Sequence, residues 1–331
     1  MDLIRETGGR WHGIVRGFTD LDLAFGDEDE NDFTLKLPKM YVRDQIGESI
    51  SQGDFLFYPG TEWGGVVDKV RLDETSSPAI VTYYGRTWHG IMSHSILKPN
   101  SGQDYLTVSG SVQEVIADLV DRQGLGEVFE AVEGESGTVS GFQFDRYTDL
   151  YSGLRKMLKS IGMKLVISKG RGKCELRAAA AVDISDGVDD NYLSLDMSQD
   201  YRPVNHLVCL GKGELKDRVV VDLYMDEAGE VSQTRTFSGA DEVAEIYDNA
   251  NGDREDLIER GTDRLLDYFA DASSIDAEIP DGLDARVGDK VTAKSTGFNF
   301  TVTAEVSAIT VSAKYGEDPA VGYTVGSLKV I

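Results

Sequence analysis

The sequence predicts a mainly β protein with an α+β insertion, in which a small α/β module separates two antiparallel β-barrel domains. Three observations lead to this prediction. Short alternating strands fill the first hundred positions, two amphipathic helices and a hairpin follow, and strand patterns return after about residue 193. The length suits about two domains. The 36 glycines against 7 prolines favour tight turns over stiff linkers.

The first predicted domain, residues 1–105, consists of short strands. Residues 32–37 read Asp-Phe-Thr-Leu-Lys-Leu, an alternation of polar and apolar side chains that indicates a half-buried strand. Turn sequences such as Gln52-Gly-Asp54 separate it from further strands, which are predicted at residues 55–58, 65–72 and 79–84. Short strands joined by tight turns are typical of an antiparallel barrel.

The predicted α/β module spans residues 106–192. Ser111 and Glu114 have the spacing of a capping box, and a helical apolar stripe follows them: Val112, Val115, Ile116, Leu119 and Val120. A second helix is predicted from about Thr148, and Gly162 is placed to end it. Residues 163–168 and 173–178 are typical of a hairpin. The Gly- and Glu-rich stretch 124–141 is expected to be a mobile loop.

The third predicted segment, residues 193–331, is a second β domain with one long helix. The helix is expected to start at Asp253, with Leu257, Ile258, Leu265, Leu266 and Phe269 at helical spacing. Strands are expected near residues 205–210, 218–225, 290–293, 298–307, 309–313 and 323–331.

Two distant stretches, residues 53–85 and 288–325, follow the same plan. Each has a Gly-Asp turn into a strand, then a hairpin, then a final strand that carries tyrosine. The step from Val70 to Tyr84 equals the step from Ile309 to Tyr323, fourteen residues each. Because Gly-Asp before a strand is common turn chemistry, the residues alone leave duplication and convergence equally open.

The formal net charge of −25 limits the classes of partner. So acidic a chain is a poor candidate for tight binding to nucleic acid or docking on anionic lipid, both of which depend on Lys and Arg. No apolar run approaches the roughly 20 residues of a membrane span, and the N-terminus does not have the layout of a signal peptide. We therefore expect assembly in a cytoplasm without stable membrane insertion. Cys174 and Cys209 are expected to be small buried hydrophobes.

The sequence offers no catalytic, cofactor-binding or metal-binding residue. The four histidines, His12, His89, His94 and His206, do not have the spacing of a zinc protease. His89 and His94 are interpreted as strand-end residues. The acidic run at residues 27–32 departs from a calcium loop at its sixth position and is interpreted as a solvated loop. We therefore predict no cofactor and no enzymatic activity.

Residues 65–70 (Gly-Val-Val-Asp-Lys-Val) and 84–91 (Tyr-Gly-Arg-Thr-Trp-His-Gly-Ile) resemble tail-tip, or baseplate, hub proteins of siphophages. These form the structural N-terminal part of the tail-associated lysin family. The two helices, the hairpin, the stretch 254–266 and the Gly-Asp turn near the end agree in order with that family. The resemblance covers about residues 50–331 and is one of order and pattern.

The resemblance implies two tail-tube-like barrels and a homotrimer located at the tail tip of a virion. Three copies of two similar barrels would form a ring with near-sixfold symmetry that joins the tail tube to a threefold tip. Such a hub would contact neighbouring tail proteins (distal tail protein, tape measure, tip fibre or receptor-binding protein) and let DNA pass. Many family members continue into a hydrolase or fibre domain, whereas this sequence stops at Ile331, so a purely structural role is expected.

The acidity allows two interpretations, and the function has two alternatives. Three chains would carry −75, and a ring lined partly by carboxylates would repel DNA phosphates. The acid-rich stretch from Asp241 to Asp289 is, however, better interpreted as an ordinary solvated surface. The alternative functions are a tail-associated cell-wall or polysaccharide hydrolase, and a glycan-binding module in which Trp63 or Trp88 stacks on sugars. The interpretation of these tryptophans as barrel-core or interface aromatics is preferred.

Overall fold

The structure, a computed structural model, describes residues 2–26, 31–42, 49–184, 194–200, 202–271, 273–278, 285–295, 300–325 and 329–330. Most of the predicted acidic loop, residues 27–30, lies outside the described residues.

The elements follow one another in three groups. The N-terminal group comprises β1 (Ile4–Thr7), β2 (Arg10–Ile14), β3 (Asp20–Gly26), β4 (Asp32–Pro38), α1 (Lys39–Val42), β5 (Phe55–Phe57), β6 (Gly64–Asp73), β7 (Ile80–Thr87) and α2 (Trp88–Ser93). The middle group comprises β8 (Thr107–Ser111), α3 (Val112–Arg122), β9 (Phe129–Ala131), β10 (Thr138–Gln143), α4 (Leu150–Ser160), β11 (Met163–Lys169) and β12 (Cys174–Ala180). The C-terminal group comprises β13 (Ser194–Gln199), β14 (His206–Leu210), β15 (Val220–Met225), β16 (Val231–Ser232), β17 (Ala244–Asp248), α5 (Arg254–Asp271), β18 (Ser273–Glu278), β19 (Lys290–Ser295), β20 (Phe300–Ala313), β21 (Ala320–Val325) and β22 (Lys329–Val330).

The middle group forms the predicted helices and hairpin. The Ser111 hydroxyl accepts from the Glu114 N–H, and the Glu114 carboxylate accepts from the Ser111 N–H, so the capping box is confirmed. Gly162 has φ +73°, a left-handed conformation that ends α4 at the predicted place. The prediction of a loop at 124–141 is wrong in part. This stretch contributes β9, parallel to β12, and β10, antiparallel to β8, because Phe129 and Val139 are buried there.

A large curled sheet joins the two ends of the chain, in the order β19-β20-β3-β4-β7-β6-β5-β1-β2, with β21 and β22 also paired to β20. Leu23 of β3 pairs with Val311 of β20, and both side chains are almost fully buried. The predicted domain borders at 105/106 and 192/193 stay predictions. The pairing of β3 with β20 shows that the first and last predicted segments contribute strands to one sheet. The stretch 300–313, predicted as two strands, is one strand with a bulge between Val306 and Ala308.

A smaller sheet, β16-β15-β14-β17, packs one face on α5. The helix starts after Asp253 as predicted, and Leu257 and Leu265 lie in the shared core. Leu266 and Phe269 also lie on this helix, but their side chains are 43% and 41% exposed. The prediction of a mainly β fold with small α/β parts is confirmed by these sheets.

Neither cysteine is expected to react with a thiol reagent in the folded chain. Cys174 and Cys209 are both fully buried, and burial raises the pKa of Cys174 well above its usual value and that of Cys209 to about 11. Labelling with Ellman's reagent at pH 8 should therefore detect no thiol until denaturant is added, and two afterwards. Rapid labelling of either thiol without denaturant would contradict this packing.

Candidate functional site

The two Gly-Asp sequences form the same turn at two places in the sheet. In the first turn (Gly53–Asp54), the glycine N–H donates to the Val67 carbonyl at 2.8 Å, and the Val67 N–H donates to the aspartate carbonyl at 2.9 Å. In the second turn (Gly288–Asp289), the same pair of bonds joins the turn to Val306, at 2.9 and 2.8 Å. Both glycines have a left-handed φ, +85° and +96°, which favours glycine.

The side chain of Asp54 ties the first turn to β1. One carboxylate oxygen accepts from the N–H of Ser51, three residues before it, at 2.8 Å and from Arg5 Nε at 2.7 Å. The other oxygen accepts from the Thr7 hydroxyl at 2.6 Å. Asp54 is fully buried, so its charge is balanced by a buried guanidinium and by directed hydrogen bonds.

The side chain of Asp289 does the same in the second turn, but its cation comes from the middle group. One carboxylate oxygen accepts from the N–H of Arg286, again three residues before it, at 2.9 Å. The other accepts from the Val182 N–H at 2.9 Å and from the ammonium of Lys164 in β11. Asp289 is 1% exposed. The two turns therefore share the backbone bonds, the bond from residue i−3 and a buried cation.

The strands that follow the two turns also match residue by residue. β6 carries a bulge after Val67, and β20 carries one after Val306. Beyond the bulges, Val70 pairs with Tyr83 and Ile309 pairs with Tyr323. The residue that matches Tyr323 in the strand pairing is therefore Tyr83 and not Tyr84, because the second hairpin is one residue longer than the first.

The match extends to a pair of strands that the sequence pattern did not reveal. In β3 and β4, Leu23 pairs with Phe33, and in β13 and β18, Met197 pairs with Ile275. Around these positions the sequences Leu-Asp-Leu (21–23) and Leu-Asp-Met (195–197) align. β4 pairs with β7, and β18 lies beside β21. The first unit, β3-β4-β7-β6-β5, therefore has a counterpart in the second unit, β13-β18-β21-β20-β19.

The strand β11 forms buried ion pairs with residues from both ends of the chain. Lys164 reaches Asp289 of the second unit, while Lys169 donates to Glu6 of β1 at 2.9 Å. The side chains of Lys169 and Glu6 are only 1% and 2% exposed. Lys169 also donates to the Gly172 carbonyl at 2.7 Å and lies 4.5 Å from the ring centre of Phe57. Removing one partner of such a buried pair would leave the other charge uncompensated.

The segment that carries these lysines differs in charge from the rest of the sequence, although the net charge of the whole chain does not show it. Residues 151–180 carry eight Lys or Arg against one Glu, in a chain whose net charge is −25. Several of these cations face acids of other segments, including Glu305, which lies 3.1 Å from Arg155 and 2.7 Å from Lys159. A local charge opposite to that of the whole chain thus marks the segment that bridges the two ends.

The histidines occupy positions different from those predicted. His89 lies inside α2, stacked 4.2 Å from the Phe25 ring with its Nε2 3.4 Å from Glu62 Oε2, and His94 ends that helix. The strand-end interpretation is wrong for both, because the Thr87 hydroxyl accepts from the Gly90 N–H and caps a helix there. His12 lies within β2, and His206 begins β14 as a strand-end residue.

The two candidate sugar-stacking aromatics are not equivalent. Trp88 is fully buried among core aromatics, so it cannot stack on a glycan in this fold. Trp63 is half-buried and packs edge-on against Tyr58, with ring centres 6.1 Å apart. The interpretation as core aromatics is therefore correct for Trp88.

Within the described part of the chain, no three or more His, Cys, Asp or Glu side chains come together as a metal site. Among the same residues, no helix has the length and apolar character needed to cross a membrane. The prediction of no catalytic or cofactor-binding residue stays a prediction.

Comparison with known proteins finds similar structures but no similar sequences. No protein-family model matches the chain, and no curated protein matches it. Among solved structures, the chain is similar to the 43 kDa tail protein of prophage MuSo2 from Shewanella oneidensis, with 15% identity, a TM-score of 0.51 and coverage of 98% of this chain and 96% of that one. It is also similar to a tail protein from Neisseria meningitidis MC58, with 11% identity, a TM-score of 0.50 and coverage of 98% and 96%. The chain has the fold of these two tail proteins, as the resemblance predicted.

Proposed function

We propose that this chain is a structural, non-enzymatic subunit of a phage tail: a hub at the tail tip of the virion. One observation carries the proposal, namely that two units with the same turn, bulge and strand register occur within one chain. The shared fold of solved tail proteins supports it.

The duplication suits a homotrimer. Three chains with two matching units each present six similar units around one axis, so a trimer can meet a sixfold tube on one side and a threefold tip on the other. The neighbours of such a ring would be a distal tail protein, a tape measure, and a tip fibre or receptor-binding protein. The buried ion pairs of β11 would keep the two units of each chain in a fixed relation.

The charge of the chain suits the passage of DNA. Three chains carry a formal −75, since each carries −25, and carboxylates near a channel repel phosphates and prevent stable binding. On α5, the acids Glu255, Asp256, Glu259, Asp263 and Asp267 are exposed. Their exposure is compatible both with a channel surface and with an ordinary solvated face.

The test of this proposal is the mass and shape of the purified chain. Light scattering should give three times the mass of one chain, and negative-stain images should show rings with a central hole. Purified protein should not turn over peptidoglycan. A strictly monomeric chain at high concentration that binds no other tail protein would contradict the proposal.

A further inference from the structure

Beyond Val66, one edge of β6 lacks a partner strand among the described residues. β7 pairs with one edge along most of the strand, whereas on the other edge β5 covers only the start. Beyond the bulge, Val70 and Leu72 point to the same side as the buried Tyr83 and Val81 opposite them, yet are 60% and 48% exposed. A strand edge with unpaired backbone groups and exposed apolar side chains is suited to the addition of another strand.

The second unit contains the equivalent strand edge, and there another strand is paired with it. β20 is the counterpart of β6, and beyond its bulge β3 pairs with the edge that lies opposite β21. Val311 corresponds to Leu72 but is only 1% exposed, because it lies opposite Leu23 of β3. Ile309, the counterpart of Val70, is equally buried. The internal copy therefore shows what covers this edge: the first strand of a unit, running antiparallel.

The counterpart of β3 is β13, the first strand of the second unit. Among the described residues β13 pairs with β18 alone, so no described strand occupies its other edge. Within one chain, β3 of the first unit covers β20 of the second unit. Repeating this junction around a ring places β13 of one chain on β6 of the next chain.

The register of the junction follows from the internal copy. Because Leu23 pairs with Val311, the counterpart of Leu23, Met197, is expected opposite Leu72. By the same transfer, Gln199 is expected opposite Val70. The charges support this register at one end of the junction: Asp200 falls opposite the exposed Lys69, whereas Asp196 falls opposite Asp73 and diagonal to Arg71. Opposite charges on neighbouring strands favour their pairing.

We infer that β13 of one copy pairs antiparallel with residues 69–73 of β6 in the next copy, and that three such junctions close the ring. This inference rests on the proposed function, because it takes the partner to be a second copy of this chain. It goes further in assigning the surface, the strand direction and the register.

A disulfide tests the register. The full chain carrying Leu72→Cys and Met197→Cys places two thiols on opposite residues of the junction. There the Cα atoms of an antiparallel pair lie about 4.5–5.5 Å apart, within the range that a disulfide spans. Mild oxidation should give a covalent trimer as the largest major product on a non-reducing denaturing gel, and reductant should return it to monomer. The matched control, Val70→Cys with Leu195→Cys, shifts the pair by four residues, about 13 Å along the strand, and should not cross-link.

Each outcome decides the inference. A trimer by light scattering without the 72–197 cross-link would overturn the junction and leave the proposed trimer standing. A chain that stays monomeric at every concentration and binds no other tail protein would overturn both. Because a cysteine at this edge could itself weaken assembly, amide hydrogen exchange of the unaltered chain is the second measurement. Amides of residues 69–73 should exchange at least tenfold more slowly in the trimer than in dilute monomer, and unchanged exchange would overturn the junction.

Discussion

Asp289→Ala is expected to destabilise the chain by about 3–5 kcal/mol, because removing one partner of a buried ion pair leaves the other charge uncompensated. The Lys164 side chain is 7% exposed and would face the space left by the carboxylate. The N–H groups of Arg286 and Val182 would also lose their acceptor. Urea unfolding followed by circular dichroism measures the loss as a lower midpoint.

The first turn provides a matched test. Asp54→Ala removes the carboxylate to which Arg5 Nε and the Ser51 N–H donate, so it should cost a similar amount. Asp20→Ala is the control, because its ion pair with Lys36 has side chains 35% and 43% exposed and exposed pairs contribute about 0–1 kcal/mol. If Asp54→Ala and Asp289→Ala cost no more than Asp20→Ala, the two turns do not anchor the sheet.

The local elements could be predicted from the sequence because their causes are local. The capping box at Ser111, the left-handed glycine at 162 and the strand of residues 32–37 each depend on a few neighbouring residues. α2 was missed since its six residues have no amphipathic repeat and depend on the cap at Thr87. Leu266 and Phe269 follow helical spacing, yet they are 43% and 41% exposed and lie outside the core that α5 shares with the sheet.

The site was predicted only in outline, because it depends on pairing across most of the chain. The two Gly-Asp turns could be identified as similar stretches of sequence. The bond between Asp289 and Lys164 could not be predicted, because it joins residues 125 positions apart. The pairing of β3 with β20 spans nearly the whole chain, and no spacing within one segment reveals it. The two Leu-Asp sequences at 21–22 and 195–196 were present in the sequence, but two shared residues are too few to identify a repeat without the register.

Lys169→Met is expected to cost about 3–5 kcal/mol for a related reason: it leaves the Glu6 carboxylate buried and facing a thioether. Glu6 is 2% exposed, so water cannot replace the ammonium without opening the contact between β11 and β1. The loss should appear in denaturant unfolding and also locally, as faster amide exchange in β1 and β11. Lys36→Met, which breaks the exposed pair with Asp20, is the control and should cost about 0–1 kcal/mol.

The double variant separates the charge from the packing. Glu6→Gln combined with Lys169→Met removes both charges, and replacing a whole buried pair by neutral groups is often close to neutral. The double variant should therefore recover more than half of the loss caused by Lys169→Met alone. If both variants unfold at the same denaturant concentration, the role of Lys169 lies in its bond to the Gly172 carbonyl and its contact with Phe57. The hairpin tip, and not the ion pair, would then hold the middle group against the N-terminal strands.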